Sequence, residues 1–171
     1  MSLSLRKLML EKDAQSVLSE LDIGRSATLD KLAALACEIT DHDAGLIALM
    51  DETTITPVGL SNCALSPVPR QGAIPPILRR SQYFPDFGED FPTSPLANGR
   101  VARFESGCFC RLHLEGEVIG FLAVMSRAAG RRPADSALSS LTDIADISSA
   151  LIRSKAELKL TLGNVFALAN R

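Results

Sequence analysis

Two segments at the start of the chain carry apolar residues at helical spacing. Residues 3–21 contain a stripe with spacings of three and four, which predicts one amphipathic helix: Leu10, Ala14, Val17 and Leu21. A second stripe follows Thr28, a residue type that caps helices, and predicts a second helix: Leu29, Leu32, Ala33, Ala36 and Ile39. The chain is therefore predicted to begin with two helices.

Strand patterns follow these helices. Residues 44–51 are an almost continuous apolar run that is too short for a lone helix, which predicts a strand buried on both faces. Residues 55–60 predict an antiparallel neighbour after a short turn. Pro57 has no N–H to donate to a ladder, so this second strand is expected at the edge of the sheet.

Residues 101–114 and 117–127 predict a second pair of strands, joined by a tight turn at Glu115-Gly116. Successive residues of a strand point to opposite faces. One face of the first strand carries Phe104, Ser106, Cys108, Cys110, Leu112 and Leu114; the other carries Arg103, Glu105, Phe109, Arg111 and His113. The second strand is apolar on both faces, which predicts a central place in the sheet.

Residues 61–100, called the insert below, separate the two strand pairs. The insert holds seven of the nine prolines, and only residues 78–82 look regular. It also holds four aromatic residues: Tyr83, Phe84, Phe87 and Phe91. Long irregular segments inside compact domains are usually functional or disordered, and a solvated linker would not carry four aromatic side chains. We therefore expect the insert to pack over the sheet.

The C-terminal part has a helical pattern that starts near Pro133 and continues almost to the end. Its apolar seam alternates spacings of three and four at positions 141, 144, 148, 151, 155, 158, 162 and 165, with polar interruptions at Ser148 and Lys155. A helix of roughly 30 residues is about 45 Å long, which exceeds the width of a domain of this size. Its second half is therefore expected to project or to pair with another element.

Composition narrows the function classes. Of 171 residues, 46% are apolar and 22% are charged, which is ordinary for a globular chain. A net charge of -2 with no Trp and one Tyr argues against nucleic acid as a partner. The longest apolar runs are far shorter than the ~20 residues that span a membrane, and Arg6 and Lys7 interrupt any secretory signal. A cytoplasmic protein without a membrane partner is expected.

Four cysteines and two histidines carry no metal-site spacing. No CxxC pair occurs, so reduced thiols that serve as small apolar groups are expected. Cys108 and Cys110 lie on one strand face, where they could bind a soft metal or form a redox pair, although core packing is favoured. His42 is expected to cap or to be solvated, and His113 to be exposed. No Ser/His/Asp set or phosphate loop is present, and neither a metal nor a cofactor is predicted.

The later strands and helix resemble a known family. Residues 118–152 are similar to the end of a GAF domain, where an apolar strand, a polar break and a helix follow one another: VIGFLAVMSRAAGRRPADSALSSLTDIADISSALI. Residues 84–112 resemble a stretch in which an Asp-containing loop and a Pro-Leu pair precede an Arg-Phe-aromatic strand, and residues 27–52 resemble the opening helix and first strand. The specialised cyclic-nucleotide and bilin motifs of the family, an Asn-Lys pair and a Cys followed by His, are absent from the sequence.

The resemblance implies an α+β fold in which helices cover one face of a central antiparallel sheet and loops roof a small-molecule pocket on the other. The strand faces agree, since the Cys108 face suits a helix layer and the Phe109 face suits the insert. Expected ligand contacts are Tyr83, Phe87, Arg103, Glu105, Phe109 and Arg111. The arginines near the insert make an anionic ligand one option; ordinary solvated arginines with acidic neighbours are the other.

GAF domains are regulatory, so the resemblance implies a non-enzymatic sensor whose terminal helices transmit ligand occupancy to an output domain or partner. The expected division is a connector helix over 1–26, a sensor over 27–152 and a coiled-coil extension over 153–171. A homodimer is expected through Leu10, Val17, Leu21, Leu151, Leu158, Leu162 and Val165.

Two alternatives stay open. The chain could be a dimerisation module whose pocket has degenerated. It could also be a thiol enzyme like the GAF-type reductases of free methionine sulfoxide, using Cys63, Cys108 and Cys110, although the surroundings of these cysteines do not match that enzyme.

Overall fold

The computed structural model describes residues 4–169, whose strands form one open antiparallel sheet in the order β3-β2-β1-β6-β5-β4. The strands are β1 Ala44–Met50, β2 Thr54–Ser61, β3 Val68–Pro69, β4 Ser81–Phe84, β5 Ser106–Leu114 and β6 Glu117–Ser126. The helices are α1 Leu5–Leu8, α2 Ala14–Glu20, α3 Ala27–Thr40, α4 Phe87–Asp90 and α5 Asp135–Ala169. The predicted α+β sheet is confirmed.

The order of the strands follows the predicted patterns. β6 pairs with both β1 and β5, as its two apolar faces predict. β2 is close to an edge, because β3 covers only Thr54 and Ile55. The β5–β6 hairpin turns at Glu115 and Gly116, whose φ angles of 50° and 86° are left-handed.

One face of the sheet is covered by α2, α3 and α5. Cys108, Cys110 and Leu112 of β5 contribute to this helix-side core, as the alternation along the strand predicts. α3 begins two residues earlier than expected: Ser26, not Thr28, is the N-cap, and its Oγ accepts the Leu29 N–H at 3.5 Å. The Ser26 N–H also donates to Val58 O of β2, which fixes where the helix starts.

The predicted single helix over 3–21 is wrong. The chain breaks into α1 and α2 because Asp13 acts as the N-cap of α2, its carboxylate accepting the Ser16 N–H at 2.9 Å. The Ser16 hydroxyl also donates to this carboxylate at 2.7 Å, and the hydrogen bonds from the Ser16 hydroxyl and N–H hold the pKa of Asp13 below its usual range. Leu10 therefore leaves the apolar stripe and is 86% exposed, whereas Val17 is 2% exposed in the helix-side core.

The predicted strand over 101–114 begins only at Ser106. Before it, the Phe104 N–H donates to Leu96 O of the insert at 2.9 Å instead of joining the ladder. The period of two therefore does not extend back to Phe104, which packs on the insert side and not on the predicted helix side. Arg103 and Glu105 lie in this irregular approach and are exposed.

The insert packs over the other face of the sheet, as its aromatic content predicts. β4, placed three residues later than the regular stretch expected at 78–82, pairs with β5 and extends the sheet. Three of the four aromatic residues of the insert are buried: Phe84, Phe87 and Phe91.

The two halves of α5 have different surroundings. Its first half packs on the sheet through Leu141, Ile144, Ser148 and Ile152, and the Ser148 hydroxyl donates to Ile144 O at 2.7 Å. A polar residue in the seam is thus satisfied within its own helix. The second half carries an exposed apolar row: Leu158, Leu162, Val165, Phe166 and Leu168. None of the described helices has both the length and the apolarity to cross a membrane.

Candidate functional site

The space between sheet and insert is filled by phenyl rings. Phe109 lies at the centre, with its ring centroid 5.3 to 6.2 Å from those of Phe84, Phe87, Phe91 and Phe121. These five residues are called the aromatic cluster below. Beside Phe121 the remaining gap is about 10 Å³, which is at the lower limit for one water molecule. The centre of the expected loop-roofed pocket is therefore closed in this conformation.

An open cavity of about 390 Å³ lies at the margin of this layer, where α2 meets the insert, the ends of β1 and β6, and Arg111 of β5. Its size is within the range of small-molecule sites. It is called the Arg70/Arg111 cavity below. The lining residues are Gln15, Met50, Arg70, Ile74, Pro75, Pro76, Ile77, Arg111 and Val118.

Two half-buried guanidinium groups face an otherwise largely apolar lining. Arg70 Nη1 donates to Asp51 O at 2.8 Å, and Arg111 Nε donates to Ile77 O at 2.7 Å. Neither guanidinium forms an ion pair with a carboxylate within residues 4–169. The lining contains no acidic side chain. The cavity therefore combines apolar walls with two guanidiniums that have no ion-pair partner among the described residues.

A rigid turn holds Arg70 in place. The Asp51 carboxylate accepts the Thr53 N–H at 2.8 Å and the Thr54 N–H at 2.7 Å, which shapes the β1–β2 turn. These hydrogen bonds keep the pKa of Asp51 below its usual range. The Arg70 N–H donates to Thr53 O of the same turn, so backbone and side chain of Arg70 are both anchored there.

α2 connects the cavity to α5. Gln15, which lines the cavity, donates from Nε2 to Val118 O at 2.8 Å, and the Ala14 N–H donates to Glu117 Oε2 at 2.8 Å. At the other end of α2, Lys159 Nζ of α5 donates to Leu21 O at 2.9 Å and to Asp22 O. A displacement of α2 would therefore change both its contact with Val118 and its contact with Lys159.

The structure does not bring the six expected ligand contacts together. Phe87 and Phe109 are fully buried in the aromatic cluster, and Arg111 lines the cavity. Tyr83 pairs with Cys108, and paired residues share a face, so its side chain lies on the helix side of the sheet. The exposed Arg103 and Glu105 do not line this cavity.

Sequence reasoning missed Gln15 and Arg70. Gln15 is a polar position on a helix, and Arg70 follows Pro69 in a segment without periodicity, so no pattern marked either residue. The Asp51-Glu52-Thr53-Thr54 turn was the one available signal, because an Asp before two threonines favours a side-chain-capped turn.

The thiols are poorly placed for reaction. Cys37, Cys108 and Cys110 are buried, and Cys63 is half-buried. Burial raises the pKa of Cys37 to about 11 and raises that of Cys63 as well. The Cys108 hydrogen bond and burial raise the pKa of Cys110, so this thiol stays protonated.

The histidine placements are mixed. The ring of His42 is buried and contacts Thr40 O at 2.8 Å and Arg131 O at 3.1 Å, so the expectation of a capping or solvated side chain is only partly met. His113 is half-buried rather than exposed. Among the described residues, no group of three or more His, Cys, Asp or Glu side chains could hold a metal ion.

Comparison with solved structures identifies the fold. The GAF domain of PixJ from Thermosynechococcus elongatus, in its blue-light-absorbing form, matches with a TM-score of 0.61 at 15% identity, over 91% of this chain and 98% of that one. A methyl-accepting chemotaxis protein matches with a TM-score of 0.58 at 20% identity, over 85% of this chain and 97% of that one. The type II free methionine-R-sulfoxide reductase of Thermoplasma acidophilum matches with a TM-score of 0.55 at 10% identity, over 81% of this chain and 96% of that one.

No protein-family model matches the sequence, and no curated protein does. Identities this low show the fold and carry no information on ligand or activity. The antiparallel sheet, its helix layer and the roofing insert nevertheless agree with the resemblance of residues 27–152. The chain therefore has a GAF-like fold.

Proposed function

We propose that this protein is a regulatory sensory domain that binds a small molecule in the Arg70/Arg111 cavity and transmits its occupancy to an output domain or partner. The observation behind this proposal is the lining of the cavity. Apolar walls surround two guanidiniums that have no carboxylate partner among the described residues, and Gln15 of α2 lines the same cavity. The GAF-like neighbours, among them the PixJ domain and the chemotaxis protein, support a sensory role. In this proposal residues 27–152 form the sensor domain, and residues 1–26 and 153–171 connect it to the output domain or partner.

The transmission route that we propose runs through α2. A ligand that contacts Gln15 would shift α2 against Val118, and α2 would shift its contact with Lys159 of α5. Such a device works only if the ligand binds one arrangement of α2 more tightly than the other.

We infer binding rather than catalysis. Burial raises the thiol pKa values of Cys37 and Cys63, and the Cys108 neighbour together with burial raises that of Cys110. The Cys110 hydrogen bond lowers the pKa of Cys108, but this thiol is fully buried, whereas a nucleophilic cysteine needs an accessible thiolate. The structural likeness to a methionine sulfoxide reductase is one of fold.

Filling the cavity tests the proposal. A panel of amino acids, nucleotides and small organic acids is expected to contain at least one compound that raises the Tm of the wild-type protein, because binding to the folded state stabilises it. Val118→Trp places a large side chain at a strand position in the cavity lining and should abolish that shift.

Leu78→Trp is the matched control, since Leu78 is 74% exposed on the insert and does not line the cavity. This variant should keep the shift. A shift that survives in Val118→Trp, or a panel without any hit, would contradict the proposed site.

The second candidate function is a dimerisation module. It is favoured by the exposed apolar row at the end of α5 and by the closed interior under the insert. Val17 lies in the helix-side core and Leu21 and Leu151 pack against it, whereas Leu158, Leu162 and Val165 are 59%, 48% and 55% exposed. The C-terminal row, together with Leu10, which is 86% exposed, is thus the part of the expected interface with free surface.

Leu158→Glu with Leu162→Glu is expected to convert a dimer into a monomer, because two charges in an apolar helix seam disfavour pairing. Sedimentation velocity measures the change. Leu78→Glu is the control, since it adds charge at an exposed leucine that is not part of the apolar row and should leave the sedimentation coefficient unchanged. A wild-type protein that already sediments as a monomer removes this candidate.

A further inference from the structure

We propose that the Arg70/Arg111 cavity binds an amphipathic oxyanion: an apolar body that carries one carboxylate or phosphate group. This proposal rests on the proposed function and deepens it by naming the chemical class of the ligand.

The charge of the cavity argues for an anion. Three arginines of residues 4–169 are half-buried, and Arg131 pairs with the Asp41 carboxylate. Among the described residues, Arg70 and Arg111 have only backbone carbonyls as partners, and these use a minority of the N–H donors of each guanidinium. Partly buried guanidiniums favour a charged partner because fewer water molecules solvate them. An oxyanion supplies that partner, since a guanidinium fork matches both carboxylate and phosphate.

The remaining lining argues for an apolar body. Six apolar side chains surround the two arginines: Met50, Ile74, Pro75, Pro76, Ile77 and Val118. Gln15 is the one neutral polar side chain in the lining, and its Nε2 is already engaged with Val118 O. An inorganic anion would leave these walls wet, whereas an aliphatic tail would bury them.

The positions of the two arginines are also fixed before a ligand arrives. Arg70 is anchored to the Asp51 turn, and Arg111 stands on the central part of β5, where it pairs with Phe121 of β6. A guanidinium that is held in place loses less side-chain entropy when it binds an anion.

A homologous ligand series tests the class. Butanoate, hexanoate and octanoate are titrated into the full chain at low salt and followed by amide chemical shifts, with hexanamide and hexyl phosphate as head-group probes. Affinity is expected to rise about fourfold per added methylene until the cavity is full. Hexanamide, which keeps the tail and lacks the charge, should bind at least tenfold more weakly than hexanoate.

Arginine variants place the head group. Arg70→Gln and Arg111→Gln should each weaken hexanoate binding about tenfold or more, since each removes a charge-assisted hydrogen-bond donor. Arg103→Gln is the matched control, because Arg103 is exposed and does not line the cavity. Arg111→Lys guards against a folding defect: it keeps the charge, loses the fork and should bind with intermediate affinity.

The outcomes separate this proposal from the proposed function. Tighter binding of hexanoate or of hexyl phosphate identifies the head group, and either supports the class. Hexanamide that binds as tightly as hexanoate, or arginine variants that bind as the wild type does, would overturn the oxyanion and leave the cavity as a site. If none of the anions binds, but another panel compound raises the Tm of the wild type and not that of Val118→Trp, only the proposed ligand class is overturned. Failure of both experiments removes the proposed function as well.

Discussion

Replacing Phe109 with alanine is expected to lower the free energy of unfolding by about 3–5 kcal/mol, the range observed for buried phenylalanines. Phe109 is 0% exposed, and its ring lies within 6.2 Å of those of Phe84, Phe87, Phe91 and Phe121. Its removal leaves a cavity walled by rings from sheet and insert, which cannot collapse without moving β5. Urea denaturation of both proteins measures the difference.

Two further measurements give this result its meaning. Leu78→Ala, at a residue 74% exposed on the same insert, should change stability by no more than about 0.5 kcal/mol. Benzene should raise the Tm of Phe109→Ala and leave that of the wild type unchanged, because a dry apolar cavity binds it. A loss below about 1 kcal/mol would mean that the aromatic cluster is loosely packed and that the interior pocket is open in solution.

Gly120→Ala is expected to lower the free energy of unfolding by about 3 kcal/mol or more, and the variant is expected to unfold at a clearly lower temperature than the wild type. A Cβ at Gly120 would overlap the carbonyl oxygen of Ala48 and would lie 3.0 Å from the Cα of Leu49. These are backbone atoms of β1, and Leu49 is the register partner of Gly120. The sheet can therefore relieve the clash only by separating its two central strands.

Gly24→Ala is the control for this prediction. A Cβ at Gly24 meets nothing within 4 Å, and alanine there should leave stability unchanged or raise it by about 0.4–1 kcal/mol. Thermal unfolding followed by circular dichroism compares the two variants. A Gly120→Ala protein as stable as the wild type would contradict the close approach of β1 and β6 at this position.

These variants also show whether the cavity depends on the core beside it. The central strands and the aromatic cluster form the insert-side core, and the Arg70/Arg111 cavity lies at the margin of that core. If Phe109→Ala stays folded and binds hexanoate as the wild type does, the cavity works independently of the closed interior.

The elements of this fold that could be predicted from the sequence are those with a strong local period. β1 and β6 are apolar on both faces, and a strand with two apolar faces is buried on both sides wherever it lies. The stripe of α3 and the first half of the α5 seam likewise mark the helix side. Alternation along β5 placed Cys108 and Phe109 on the correct faces.

Local period failed where another contact outweighed it. Asp13 divided a continuous apolar stripe by capping α2, so Leu10 became exposed. Phe104 lies outside the ladder because its backbone bonds to Leu96, and Tyr83 took its face from the register of β4 on β5. In each case a hydrogen bond or a strand pairing that the apolar pattern does not encode determined where the side chain lies.

The candidate site depended on tertiary structure. Gln15, Arg70 and Arg111 come from a helix, an aperiodic insert and a strand, and they line one cavity only because the insert folds back over the sheet. The residues of such a site need no shared spacing, since their proximity results from packing between elements rather than from the period within one. The sequence was sufficient to predict the layers and the faces; the place where two arginines share one cavity was decided by how those layers pack.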